Sequence, residues 1–181
     1  MKSLNILITF SLGLLIAGTA SAVPVQFNGH WYDEISFNGT WEQANVDANS
    51  RTHNSMQGHL ATITSAEENN FIYSNVFLQL YAANWSWLGG TDVAQEGVWE
   101  WVTGEAWSYS AWRGNEPNNY YNEDYLHMWY TGTWNDWGAS SSAATYIIEY
   151  EASDIPEPAT LALMGLGLAG LGYQRKRKLT T

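Results

Sequence analysis

From Asn115 onward the chain turns rich in side-chain oxygens. Glu116-Pro117-Asn118-Asn119 is followed by Glu123-Asp124, and then by Asn135-Asp136 inside the stretch Gly132-Thr133-Trp134-Asn135-Asp136-Trp137. Carboxylates interleaved with carboxamides are hard donors, and calcium takes about six to eight such oxygens at ~2.3–2.6 Å. Three carboxylates around a divalent ion leave a net charge of about −1, and carboxamides add oxygens without adding repulsion. A pair such as Glu116 and Glu123 also has the residue types of a glycosidase pair. The neighbouring carboxamides favour metal ligation instead, so no catalytic residue is assigned and no enzyme activity is expected. Zinc would want imidazole or thiolate. The four histidines (His30, His53, His59 and His127) show no ligand spacing along the chain, and cysteine is absent. That absence removes thiol nucleophiles, zinc–thiolate sites and thiol redox chemistry together.

Charge points the same way. Between the two chain ends, residues 23–154 carry only Arg51 and Arg113 as strong bases against seventeen of the eighteen acids, a net charge near −15. Such a surface repels nucleic acid and anionic membranes and attracts cations.

The elements that must position these oxygens are short. Val25 to Phe37 alternates loosely and predicts a strand and hairpin. Trp41, Ala44 and Ala48 share one side at helical spacing, which predicts a first helix over Trp41 to Arg51. His59 to Thr64 reads as a short strand. Ser65 with Glu68 three residues on predicts a capping box, opening a second helix to about Gln79. Beyond it, aromatic pieces at Trp85–Leu88, Trp99–Val102, Tyr125–Tyr130 and Tyr146–Tyr150 alternate with Gly, Asn and Ser turns. Two helices followed by many short strands and long loops make an α+β domain.

Five segments in order then carry a family resemblance: His59-Leu60-Ala61-Thr62-Ile63, Trp87-Leu88-Gly89-Gly90, Glu116-Pro117-Asn118, Trp134-Asn135-Asp136 and Tyr146-Ile147-Ile148-Glu149. From about Trp41 to Glu149 the chain resembles the C-type lectin-like domain, with two helices, short antiparallel sheets and a long calcium-binding loop. The resemblance implies a principal calcium site of Glu116, Asn118, Glu123, Asn135 and Asp136, the last with its backbone carbonyl as well. It implies that two adjacent sugar hydroxyls complete the shell, and that the same side chains hydrogen-bond those hydroxyls. It implies a cis Glu116–Pro117 bond. In the family, Glu-Pro-Asn accompanies mannose-type sugars (mannose, glucose, GlcNAc or fucose), whereas Gln-Pro-Asp accompanies galactose. Tyr120, Tyr121 and Trp137 are candidates for an apolar face beneath the sugar ring.

The resemblance also implies an auxiliary calcium site from Asp92, Glu96, Asn119 and Asp124, with Glu123 shared. Asn119 stands where many members have Asp, which lowers the ligand charge. The larger departure is cysteine. The positions matching the family's four are Ala48, Tyr125, Ala139 and Ile148, so that each partner pair joins a small residue to a large one. A typical disulfide contributes about 2–4 kcal/mol, so packing and calcium must do its work here.

Both ends read as processing signals. Residues 1–22 place Lys2 before an apolar run from Leu4 to Ala17 and end on Ala20-Ser21-Ala22, the layout of a cleaved signal peptide. Near the other end, Pro156-Glu157-Pro158 precedes an apolar stretch from Ala159 to Tyr173 and the basic cluster Arg175-Lys176-Arg177-Lys178. That stretch reaches about 22 Å as a helix, short of a ~30 Å hydrocarbon core. From Ile155 to Lys178 it resembles the PEP-CTERM sorting signal, which implies transient membrane contact and tail removal by an exosortase. The expected division is therefore a signal peptide (1–22), a lectin-like domain (23–154) and a sorting tail (155–181). The expected role is calcium-dependent binding of mannose-type carbohydrate at the surface, or in the exopolysaccharide matrix, of a Gram-negative bacterium. The alternative is a matrix or adhesion protein that uses the same fold to bind another protein without sugar recognition.

Overall fold

A computed structural model describes residues 23–77 and 85–151. The expected signal peptide and sorting tail lie outside the described residues. The described chain is α+β, with nine strands and two helices: β1 (Val25–Phe27), β2 (His30–Gly39), α1 (Trp41–Ser50), β3 (Thr52–His53), β4 (Met56–Leu60), α2 (Ala66–Asn75), β5 (Trp85–Thr91), β6 (Glu100–Trp101), β7 (Glu123–Trp129), β8 (Trp134–Gly138) and β9 (Ala143–Glu151).

The sheet runs β1-β2-β9-β5-β7-β8. β9 is its organiser. One edge pairs antiparallel with β2 from Trp31–Tyr150 to Gly39–Ala143. The other edge is divided: β5 lies parallel beside Thr145 and Tyr146, and β4 lies antiparallel beside Ile148 to Glu151. The first long strand and the last are thus neighbours, and the domain's ends are tied by main-chain hydrogen bonds where a cysteine-bearing chain could use a covalent tie.

Local chemistry explains the helices. Thr40 Oγ1 accepts from the Gln43 N–H at 3.4 Å, and Gln43 Oε1 accepts from the Thr40 N–H at 3.0 Å, a complete capping box for α1. The helix buries Trp41, Ala44 and Ala48, the stripe that its spacing predicts. At α2 the box is only half formed. Ser65 Oγ accepts from the Glu68 N–H at 3.2 Å, but the Glu68 carboxylate turns to the Thr64 N–H (2.8 Å) and the Tyr32 hydroxyl (2.6 Å). A buried tyrosine needs a partner for its hydroxyl, and here that need outweighs the box. The helix ends at Asn75; Gln79 lies outside the described residues.

Two strand expectations shift. Pairing with β9 puts β4 at Met56–Leu60 rather than His59–Thr64, and only Glu100–Trp101 of the Trp99–Val102 piece is strand. The bare backbone of Gly89 lets β5 approach β4, since a Cβ there would sit 2.6 Å from the Leu60 carbonyl oxygen.

Two clusters fill the interior. One surrounds Trp134 with Trp99, Trp101, Leu126, Met128 and Ile72; the other surrounds Trp87 with Trp41, Leu60, Tyr146 and Ile148. Ala48 and Ile148 are both fully buried and flank Gly58, so this cysteine-equivalent pair is replaced by packing. Tyr125 and Ala139 do not repeat the pattern. Ala139 is exposed, whereas Tyr125 stacks on Trp41 at 4.9 Å and donates its hydroxyl to Glu42 at 2.6 Å.

His127, on β7, is buried among Trp87, Trp129 and Trp137, and neither ring nitrogen has a hydrogen-bond partner. Burial pushes its pKa down from 6.5 to about 3. As pH falls through 6.5 the unfolded chain takes up a proton that the folded chain refuses until about 3, so this histidine's contribution is intact above 6.5 and is lost below it. His127→Phe is expected to flatten the loss by up to one proton, about 1.4 kcal/mol per pH unit. Urea unfolding of both proteins at a series of pH values checks this. The difference between them removes the opposite trend of Asp33, whose carboxyl burial raises to about 6 and which therefore favours folding as pH falls.

Candidate functional site

The oxygen-rich segments of the sequence converge on one edge of the sheet, where β7 pairs with β8. The long loop is pinned at both ends. At its start the Arg113 N–H donates to the Trp134 carbonyl at 2.8 Å, and the Trp134 N–H donates to the Ala111 carbonyl at 2.8 Å. At its end Glu123 enters β7 opposite Gly138. Between them the Glu116–Pro117 bond is cis, as expected, and Asn115, Asn119, Tyr121 and Asn122 take positive φ, the left-handed turn that Asn tolerates better than most residues.

Trp134 fixes the far wall. Its indole N–H donates to Asn69 Oδ1 at 2.8 Å, and Asn69 Nδ2 donates to the Gly132 carbonyl at 2.9 Å, so α2 holds both the ring and the turn before β8. The next two residues are Asn135 and Asp136. Asp136 is 1% exposed. One of its oxygens accepts from the Asn119 N–H at 2.7 Å, whereas Oδ1 is buried without a partner.

Around Asp136 the loop donors interlock. Asn118 Nδ2 donates to Glu116, and Asn118 Oδ1 accepts from the Tyr120 N–H at 2.8 Å. That same N–H lies 3.2 Å from Glu123 Oε2. The Glu123 N–H donates to Asn119 Oδ1 at 2.7 Å, and Asn135 Nδ2 donates to its neighbour's carbonyl at Asp136. All five residues of the expected principal set therefore belong to one local network. Glu116, Glu123 and Asp136 do not form a set of three carboxylates with oxygens all within 4.8 Å, a spacing met among the described residues only by His30, Glu149 and Glu151.

The electrostatics ask for a cation. Burial, then the field of Asp136, raises the Glu123 carboxyl to about 7, with Glu116 adding to the effect and the Tyr120 N–H opposing it. Burial and Asp136 also push Glu116 up, against the Asn118 hydrogen bond and the Arg113 charge. A divalent ion would relieve this crowding and satisfy Asp136 Oδ1. The donors are all oxygens, so the residues fit calcium rather than a soft metal.

The auxiliary set gathers beside it. Asp92 is 2% exposed; Oδ2 accepts from the Gly97 N–H at 2.8 Å, and Oδ1 is buried without a partner. The Asp92 N–H donates to the Asp124 carbonyl at 3.2 Å, which joins the loop after β5 to the start of β7. Burial, then Asp124 and Asp136, raises Asp92. Loss of hydration and the fields of Asp92, Asp124 and Asp136 raise Glu96. Asp124 accepts from Asn122 Nδ2 at 2.6 Å, and Asn119 is engaged by Glu123 and Asp136.

The three rim aromatics separate. Tyr120 and Tyr121 are exposed and touch edge to face at 4.2 Å. Trp137 is half-buried and packs on Trp85 at 4.9 Å and on His127 at 4.7 Å. Sequence reasoning missed the Asn69–Trp134 support, because residues 65 apart give no local signal. It also missed how His30 meets an acid far along the chain: His30 Nδ1 lies 2.5 Å from Glu149 Oε1.

A two-helix domain with a long oxygen-donor loop against paired strands is the architecture of a lectin domain. Residues 38–147 match the Lectin C-type domain, and the chain belongs to that family. Residues 154–178 match the PEP-CTERM protein-sorting motif, which implies export and surface anchoring in Gram-negative bacteria. Among relatives, halomucin of Haloquadratum walsbyi is 32% identical over 141 residues, covering 68% of this chain but 1% of halomucin. The alpha-N-acetylgalactosamine-specific lectin of Patiria pectinifera is 32% identical over 133 residues, covering 71% of this chain and 78% of that lectin. Among solved structures, the carbohydrate-recognition domain of cow CD23, determined in the presence of a GlcNAc2Man3 oligosaccharide, is 25% identical with a TM-score of 0.64, covering 75% of this chain and 98% of that one.

Proposed function

We propose that the protein is an exported calcium-dependent carbohydrate-binding protein of mannose-type specificity. The observation that carries this reading is Asp136, buried with one oxygen unpartnered inside a network of Glu116, Asn118, Glu123 and Asn135. These five residues hold the principal ion, and Asp92, Glu96, Asn119 and Asp124 hold an auxiliary one. Calcium, when bound, supplies coordination to two neighbouring sugar hydroxyls. The chain's part is direction. A carboxylate accepts a hydroxyl proton and a carboxamide N–H donates to a hydroxyl oxygen, so each hydroxyl can be met as donor and acceptor. Glu116-Pro117-Asn118 supports mannose, glucose, GlcNAc or fucose. Exposed Tyr120 and Tyr121 offer an apolar edge to the sugar.

A shallow single site binds weakly, so display in many copies on a surface or in a matrix raises the effective affinity. The division into a signal peptide (1–22), a binding domain (23–154) and an exosortase-processed tail (155–181) suits that display. The role requires no catalytic step. A glycan array probed in millimolar calcium and again in EDTA tests the reading. Mannose-type glycans are expected to bind in calcium only; signals unchanged in EDTA, or no bound glycan at millimolar calcium, would overturn it. A protein partner whose capture survives Glu116→Ala and Asp136→Ala would favour the protein-binding alternative.

A further inference from the structure

The strands that join the domain's ends carry a second group of donors, separate from the calcium residues. Glu149 and Glu151 alternate along β9 and so share one face of the sheet. Tyr32 on β2 and His59 on β4 flank Glu149 in register, and Gln57 faces Glu151. His30, two residues before Tyr32, comes to the same face. His30 Nδ1 lies 2.5 Å from Glu149 Oε1 and 3.5 Å from Glu151 Oε2. His59 Nε2 lies 3.5 Å from the other oxygen of Glu151. The ligand atoms of His30, Glu149 and Glu151 all lie within 4.8 Å of one another.

His59 decides what belongs in this group. Its Nδ1 faces the Leu60 carbonyl at 3.0 Å, and a carbonyl only accepts, so Nδ1 carries the proton. In the neutral ring Nε2 then presents a lone pair. That nitrogen is buried, has no hydrogen-bond partner and looks onto a carboxylate oxygen. In that neutral form two acceptors face each other across 3.5 Å, whereas a ring carrying both protons would pair with Glu151. With zinc–nitrogen and zinc–oxygen bonds of about 2.0–2.2 Å, two ligands of a tetrahedral ion stand roughly 3.3–3.6 Å apart. His30 and His59 each stand 3.5 Å from one oxygen of Glu151, Oε2 and Oε1 respectively, the distance of neighbouring ligands around such an ion.

The outer partners suit the same purpose. The Leu60 carbonyl holds the His59 ring as a metal-bound imidazole is commonly held, by its second nitrogen. Glu149 is steadied by the Thr62 N–H at 3.0 Å and the Tyr32 hydroxyl at 3.1 Å. We infer that His30, Glu149 and Glu151 form a site for a zinc-like divalent ion, and that His59, beside Glu151 but outside the 4.8 Å set, swings in as the fourth donor. Two imidazoles and two carboxylates suit zinc over calcium, which prefers an all-oxygen shell. Binding releases the proton shared by His30 and Glu149 to solvent, and the two side chains part to ligand spacing. The ion ties β2, β4 and β9 together at the end of β9, where a chain without cysteine has no covalent tie.

Cobalt(II), a coloured stand-in for zinc, reads the site directly when titrated into the full chain in saturating calcium. One equivalent is expected to give the visible bands of tetrahedral cobalt, zinc is expected to displace it, and zinc is expected to raise the melting temperature by several degrees above calcium alone. His59→Ala and Glu151→Gln are each expected to weaken cobalt binding at least tenfold while mannose retention is unchanged. Glu151→Gln is the milder change, half-exposed at the strand end, so folding does not confound both variants. Three results would overturn the inference: no band at one equivalent, binding unchanged in both variants, or binding lost in Asp136→Ala and kept in His59→Ala, which would place the metal in the calcium loop.

Discussion

Asp136→Ala is expected to abolish calcium-dependent sugar retention and to weaken calcium binding by about 100-fold or more, because it removes the charged ligand proposed for the centre of the site. The same substitution has a second expected effect of opposite sign. Without calcium, Asp136 is a buried carboxylate with one unpartnered oxygen, and its field pushes up Glu116 and Glu123. Removing it relieves that repulsion and loses one hydrogen bond from the Asn119 N–H. In EDTA, therefore, the variant should melt at or above the temperature of the unsubstituted protein. In millimolar calcium the order should reverse, since ligand binding stabilises only the protein that retains the site. Differential scanning calorimetry in the two buffers checks both signs. An Asp136→Ala variant equally destabilised in both would mean that the residue is structural and the oxygens are not a metal site.

Trp134→Ala is expected to carry the largest stability cost. The ring is fully buried and meets Trp101 at 5.7 Å, Trp107 at 5.8 Å, Tyr109 at 5.5 Å and Trp112 at 6.0 Å. Truncation of such a residue costs about 3–5 kcal/mol, which for a domain of this size lowers the melting temperature by roughly 10–20 °C. Asn69 loses its indole partner at the same time. Trp134→Phe keeps most of the ring and should cost about 1–3 kcal/mol, chiefly through the unpaired amide. The loss should reach the site as well, because the Trp134 backbone holds Ala111 and Arg113 at the start of the long loop. Chemical denaturation of both variants, followed by calcium titration, measures the two consequences separately. A Trp134→Ala protein melting within a few degrees of the unsubstituted one would contradict this view of the aromatic cluster.

What the sequence made legible was what is local. The stripe Trp41, Ala44, Ala48 named the buried face of α1, and Glu116-Pro117-Asn118 with Trp134-Asn135-Asp136 marked the two segments that meet at the site. Illegible was what depends on partners far along the chain. Glu68 looked like a capping residue for Ser65, yet the buried hydroxyl of Tyr32 claims its carboxylate. Tyr125 looked like half of a packed pair with Ala139, yet it is held by Trp41 and Glu42. The histidines showed no ligand spacing because their neighbours come from register. β9 places Glu149 between Tyr32 and His59, an arrangement that exists only once three strands have paired. Long-range register carries no short-range period, so spacing rules cannot find it.

Retention of the protein on immobilised mannose in millimolar calcium, followed by elution with EDTA, measures calcium-dependent sugar binding directly. Retention in calcium is expected, with complete release by EDTA and competition by free mannose but much less by galactose. Retention that persists in EDTA, or passage through the resin in calcium by a protein shown to be folded, would contradict it.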